Sequence, residues 1–213
     1  MKQLLVEGLG AFFVVLVVGL TGIEPGAGAM APLAIGATVM VMVYAGGPVS
    51  GGHYNPAVTL AAWIRGACEA GDVLPYCTAQ IAGGALAALL VGVCKDLSGV
   101  RAMEPAVLPA LLVELVFTCA LAYVVLQTAT TKQSAKNSYF GLAIGMTVMA
   151  AAYAGGNISG GAFNPAVAVG LTLMGLSKLG SLWIFLVGNL AGGALAAILF
   201  RLTNPDESSS RRS

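Results

Sequence analysis

The chain has 213 residues, of which 58% are hydrophobic and 9% charged, with a net charge of +1. Soluble domains carry about 25% charged side chains, so this composition excludes a water-exposed globular surface and makes lipid the solvent for most of it. The near-neutral balance gives no basis for a nucleic-acid or acidic partner.

The first apolar run, about 4–22, follows Lys2 and precedes Ala27-Gly28-Ala29, which together suggest a cleaved signal segment. Glu7 interrupts the start of that run, and the run has a counterpart in the second half of the chain. It therefore reads as a span. Crossing about 30 Å of hydrocarbon takes roughly 20 residues. Six runs qualify, at about 4–22, 32–48, 73–94, 106–128, 138–155 and 181–202. Two shorter ones, about 55–65 and 164–174, remain. At about 1.5 Å per residue each covers half a bilayer, so both read as re-entrant half-helices. Residues 204–213 are polar and serine-rich and read as a disordered cytoplasmic tail.

An internal repeat organises these elements. Residues 46–58 match residues 155–167 at nine of thirteen positions, 109 residues apart. Leu33-Ala34-Ile35-Gly36 and Leu142-Ala143-Ile144-Gly145 keep the same register, as do residues 82–88 and 191–197. The first repeat is 1–105 and the second 106–203, each holding three spans and a half-span, together one domain. Three crossings invert the second copy relative to the first. The predicted fold is an all-α membrane protein of six transmembrane helices plus two re-entrant half-helices in an inverted repeat.

Lys/Arg bias sets orientation. With the N-terminus inside, Lys2, Arg65, Lys132, Lys136, Arg201, Arg211 and Arg212 face the cytoplasm, against Lys95, Arg101 and Lys178 outside. Both termini are expected to be cytoplasmic, in a multi-pass protein of the plasma (inner) membrane.

Asn55-Pro56-Ala57 and Asn164-Pro165-Ala166 each open a half-helix. Proline suits a first helical turn and asparagine an N-cap. The glycines before them allow a tight non-helical backbone. Its unpaired carbonyls, among them those of Gly52, His53, Tyr54, Gly161 and Ala162, are tolerable at membrane depth only along a water-filled path. Two amino ends meeting at mid-membrane set two positive dipole ends against cations and protons. The asparagine amides offer donors to a passing oxygen. One such motif alone would be an ordinary capped helix start; two in an inverted repeat are not.

These features resemble the aquaporin and glycerol-facilitator family over essentially the whole chain. Ser50-Gly51-Gly52-His53-Tyr54-Asn55-Pro56-Ala57-Val58-Thr59 is close to that family's first signature. The resemblance implies a passive channel for water and small uncharged solutes, a pore in each subunit, a homotetramer in the lipid bilayer, and no cofactor. Carried across by spacing, the constriction falls on Ile35, Ala152, Gly161 and Val167. There water-specific members have an aromatic at the first position and a histidine at the second, and most members have an arginine at the fourth. All four residues here are small or aliphatic, so the filter is expected to be wide, apolar and arginine-free. Water, ammonia, urea, glycerol and hydrogen peroxide are the candidate solutes. The aspartate that follows the arginine in glycerol facilitators is replaced by Ala168, which argues against dedicated glycerol recognition. Val167 is similar to some plant vacuolar members.

Glu7 and Glu114 lie early in the first and fourth spans. Intramembrane carboxylates need partners, and the resemblance implies that these two support the re-entrant loops. A proton relay, as in a coupled secondary transporter, would need further intramembrane ionisable groups that the sequence lacks. A non-conducting adhesive protein would want longer external loops. His53, the only histidine, offers a mouth carbonyl under the resemblance and a pH gate as the sharper reading. No nucleophile–histidine–carboxylate set or paired carboxylates point to an enzyme, and no ligand cluster points to a metal. The cysteines Cys68, Cys77, Cys94 and Cys119 read as reduced packing residues. Trp63, Tyr76 and Trp183 read as interface anchors, and Met40, Met42, Met146 and Met149 as packing.

Overall fold

The computed structural model describes residues 1–208. Arg211 and Arg212, counted above for orientation, lie outside the described residues. The six long helices are α1 (Lys2–Gly22), α2 (Ala31–Ser50), α4 (Ala70–Cys94), α5 (Val107–Ala129), α6 (Phe140–Ser159) and α8 (Leu182–Thr203). Each is long and apolar enough to cross a membrane. The half-helices are α3 (Pro56–Arg65) and α7 (Pro165–Leu173), and α9 (Pro205–Ser208) is one terminal turn. No strand occurs among the described residues, although an isolated bridge joins Met103 to Ser177.

The repeat is visible in the packing. Helix α1 lies on α2 and α4 as α5 lies on α6 and α8. The halves meet where α2 crosses α6. A Cβ on Gly36 would stand 2.7 Å from the Gly145 carbonyl oxygen, and one on Gly145 would stand 2.5 Å from that of Gly36. Only hydrogen at both positions allows the two backbones to touch. The half-helices pack across the repeat, α3 on α8 and α7 on α4. A Cβ on Gly193 of α8 would meet the Ala57 carbonyl oxygen at 2.4 Å. Neither half can therefore seat its half-helix without the other.

The end of the bundle that carries the N-terminus also carries the α3–α4 and α5–α6 links and the end of α8. Arg65 closes α3 there. Its Nε donates to Thr130 Oγ1 at 3.0 Å, one Nη donates to Thr130 O at 2.9 Å, and the same Nη pairs with Glu207 at 3.2 Å. Glu207 also accepts from the Lys132 backbone N–H at 2.7 Å. The tail expected to be disordered from residue 204 thus begins as a docked turn. A guanidinium only 10% exposed needs a counter-charge, and Glu207 supplies it. Residues 209–213 of that expected tail lie outside the described residues.

Candidate functional site

Two irregular loops, 51–54 and 160–163, approach each other from opposite ends of the bundle. Gly51 and Gly160 end α2 and α6 with φ of 91° and 100°. Each loop then turns again at Tyr54 (φ 51°) and Phe163 (φ 49°). Non-glycine residues in this region are strained by about 1–3 kcal/mol each, so something must hold them.

Two buried carboxylates do so. Glu7 is fully buried and accepts four hydrogen bonds. Oε1 receives Ser50 Oγ–H at 2.6 Å and the His53 N–H at 3.0 Å. Oε2 receives the Tyr54 N–H at 2.7 Å and Gln80 Nε2 at 2.8 Å. Two donors thus meet each of its carboxylate oxygens. Glu114 repeats the arrangement with Ser159 Oγ at 2.7 Å, the Ala162 N–H at 3.0 Å and the Phe163 N–H at 2.7 Å. Asn189 occupies the place of Gln80 but is one methylene shorter, and its Nδ2 falls outside hydrogen-bonding geometry with any described group.

The strained turns aim two carbonyls across the repeat. Asn55 Nδ2 donates to Phe163 O and Asn164 Nδ2 donates to Tyr54 O, both at 2.9 Å. Each asparagine Oδ1 caps its own half-helix by accepting from the N–H of Ala57 or Ala166, again at 2.9 Å. The half-helices therefore meet amino end to amino end. Each amide keeps a second N–H, and both asparagines line the cavity. Of the two amide protons on each asparagine, one is therefore spent on the opposite loop.

That cavity has a volume of about 580 Å³. Gly22, Ala31 and Asn157 line it at the far end, away from the termini. Asn55 and Asn164 form its waist, and it reaches His53 and Val43 beyond them. Ile35, Ala152, Gly161 and Val167 all line it, as do Gly52, His53, Tyr54 and Ala162. Sequence reasoning missed its aliphatic wall, built from Val39 and Val43 of α2, Leu121 and Val125 of α5, and Ile144 and Val148 of α6.

One side chain has a corrected role. Tyr76, expected at a membrane interface, is only 5% exposed. Its hydroxyl donates to Ser50 O at 3.0 Å and its ring lies 5.5 Å from His53, so it braces the first loop. His53 Nδ1 lies 3.1 Å from Thr59 Oγ1 and its ring borders the cavity. Met40 and Met149 pack against the α2–α6 glycines, not into the cavity.

Amino ends of two short helices facing each other inside a six-helix, lipid-facing bundle, with a cavity between them, define a passive transmembrane channel. A family model described as major intrinsic protein matches residues 1–200. Aquaporin NIP1-4 of Oryza sativa subsp. japonica is 37% identical, over 95% of this chain and 78% of its own length. A glycerol uptake facilitator protein-like 6 of Lactiplantibacillus plantarum is 31% identical, over 97% of this chain and 100% of its own. The X-ray structure of the aquaglyceroporin from Plasmodium falciparum superposes with a TM-score of 0.78 at 16% identity, covering 97% of this chain and 98% of that one. The chain belongs to the major intrinsic protein family, whose members are passive channels for water and small solutes such as glycerol, not enzymes. It is an integral, multi-pass membrane protein.

The four cysteines are free, and none lines the cavity. Mercurial treatment is therefore expected to leave water flux unchanged. Val167→Cys should make that flux mercury-sensitive, because it places a thiol on the cavity wall without changing its size much. Stopped-flow shrinkage of proteoliposomes with and without mercuric chloride reads both outcomes.

Proposed function

We propose that this channel has a wide, arginine-free constriction permissive to neutral molecules larger than water, with water, ammonia, urea, glycerol and hydrogen peroxide as its range. One observation carries the reading. The four constriction residues converge on a single cavity and contribute no charge and no side-chain hydrogen-bond donor. Beside Ile35 and Val167, a solute meets aliphatic wall on one side and the carbonyls of loop 160–163 on the other.

Without a fixed cation at Val167, ion exclusion rests on the half-helices. Helices of ten and nine residues each direct a partial charge at the waist, about +0.5 per amino end. A cation shedding water there meets two positive ends and amide protons, whereas a neutral oxygen meets donors.

The same proposal sets both termini in the cytoplasm, in the plasma (inner) membrane, and assembles the chain as a homotetramer. Arg65 and Lys132 gather at the termini end, while Lys95 and Lys178 belong to links at the other, which supports that orientation. Family membership and the exposed aliphatic face of α4, including Leu86, Leu89 and Val93, support subunit packing within lipid.

The test is permeability of purified protein in liposomes to each candidate solute. We expect measurable glycerol and urea flux beside water flux, with no dependence on a proton gradient. Passage of water alone would refute the permissive constriction.

A further inference from the structure

The constriction residues leave a solute little to hold on the far side of the asparagine pair. Six cavity-lining residues have polar side chains: His53, Tyr54, Asn55, Tyr153, Asn157 and Asn164. The Tyr54 hydroxyl is committed to Met42 O at 2.9 Å. His53 belongs to the loop entering from the termini end. On the far side of the waist, among the described residues, the cavity-lining residues with side-chain hydrogen-bonding groups are therefore Tyr153 and Asn157.

Both stand on α6 beyond its crossing with α2. Gly145 marks that crossing, and Tyr153 lies about 12 Å further along the axis at about 1.5 Å per residue. Asn157 follows four residues later, on the same helix face. Neither side chain has a hydrogen-bond partner among the described residues. Tyr153 is 50% exposed. A free amide and a free phenol on a membrane helix are costly unless they face water or a solute path. Ala152, adjacent to Tyr153, is one of the constriction residues, so a solute leaving this pair passes directly to the narrow zone.

We propose that Tyr153 and Asn157 form a hydrogen-bonding station for small neutral solutes that carry several hydrogen-bonding groups, polyols and ureas. The station takes over the donor role that Val167 cannot fill. The amide offers two donors and an acceptor, and the phenol offers one donor. A polyol or urea that sheds hydration on entering regains hydrogen bonds there while its carbon side rests on the aliphatic wall. Water, which keeps neighbouring waters through the vestibule, gains little from the pair. This inference rests on the permissive constriction proposed above.

The experiment compares unmodified protein with Asn157→Leu, Tyr153→Phe, their double variant and Asn157→Gln, each in proteoliposomes with water, glycerol and urea as probes. Leucine copies the shape of asparagine without its hydrogen bonds, and phenylalanine removes only the hydroxyl. Each lost net hydrogen bond is worth a factor of about two to ten. The double variant should therefore lose glycerol and urea permeability by about fivefold or more, with water flux held within about twofold. Asn157→Gln should retain the solute flux. An unchanged solute-to-water ratio in the double variant would overturn the station. So would an equal fall in all three fluxes, which would mark the pair as structural. If unmodified protein passes water but neither glycerol nor urea, the permissive constriction itself fails and the station falls with it. If unmodified protein passes both and the variants are indifferent, only the station is lost.

Discussion

Glu7→Leu is expected to abolish conduction and to lower stability by on the order of 5 kcal/mol, at about 1–3 kcal/mol for each buried donor left without an acceptor. The substitution strands the N–H groups of His53 and Tyr54, the Ser50 hydroxyl and the Gln80 amide. It also releases Tyr54 from its positive-φ turn. The Tyr54 carbonyl then no longer points at Asn164 Nδ2, so the tie between the amino ends of the half-helices is lost. Glu114→Leu should be damaging but milder, because three donors depend on that carboxylate. Glu7→Gln, which keeps one acceptor oxygen, should fall between unmodified protein and Glu7→Leu. Thermal unfolding of the detergent-solubilised protein, followed by circular dichroism, ranks the variants, and stopped-flow light scattering reads conduction. A Glu7→Leu protein that kept its unfolding temperature and its water flux would show that the loops are held some other way.

The carboxylates also show what the sequence made legible. Their location early in two corresponding spans was readable, and so was the need for partners at membrane depth. The partners themselves were not. Nothing along the chain marks Gln80, one residue after Ala79 in a long apolar helix, as the fourth donor to Glu7. The cross-ties from Asn55 to Phe163 O and from Asn164 to Tyr54 O needed the fold, because each joins residues more than a hundred positions apart. Span number, half-spans and inversion were legible because bilayer thickness fixes helix length, and because residues 46–58 and 155–167 repeat so closely.

The cavity wall was hidden for a different reason. In a soluble helix the buried face is apolar and the exposed face polar. In this bundle the lipid side and the path side are both aliphatic. Val39 and Val43 line the cavity, whereas Val41 between them is 51% exposed on the outer surface. Residue type gives no sign of that difference. Tyr76 was misjudged on the same ground: aromatic residues near span ends serve interfaces and loop bracing alike, and only its bond to Ser50 O decides. The terminal turn escaped notice because Glu207 acquires meaning only opposite Arg65, 142 residues away.

Val167→Arg carries the second large expected effect, on selectivity instead of stability. Val167 lies three residues into α7 from Asn164, only 4% exposed, with its side chain on the cavity wall. An arginine there extends toward Ile35 and Ala152 and narrows the path. Its guanidinium can reach the carbonyls of Gly160 and Gly161, which border the same space. A cation at the amino end of a helix is unfavourable by about 0.3–1 kcal/mol, a cost the fold can bear. Glycerol and urea must then squeeze past a fixed, hydrated cation, and their permeability should drop at least about tenfold, equivalent to about 1.4 kcal/mol in barrier height. Water is small enough to pass beside the guanidinium and to hydrogen-bond with it, so its flux should fall by less than about threefold, under about 0.7 kcal/mol. The diagnostic quantity is the ratio of solute to water permeability in the same vesicles, which cancels differences in reconstituted protein. A ratio that stays constant would mean that Val167 does not stand where solutes are sorted, and the permissive reading of Ile35, Ala152 and Gly161 would lose its footing with it.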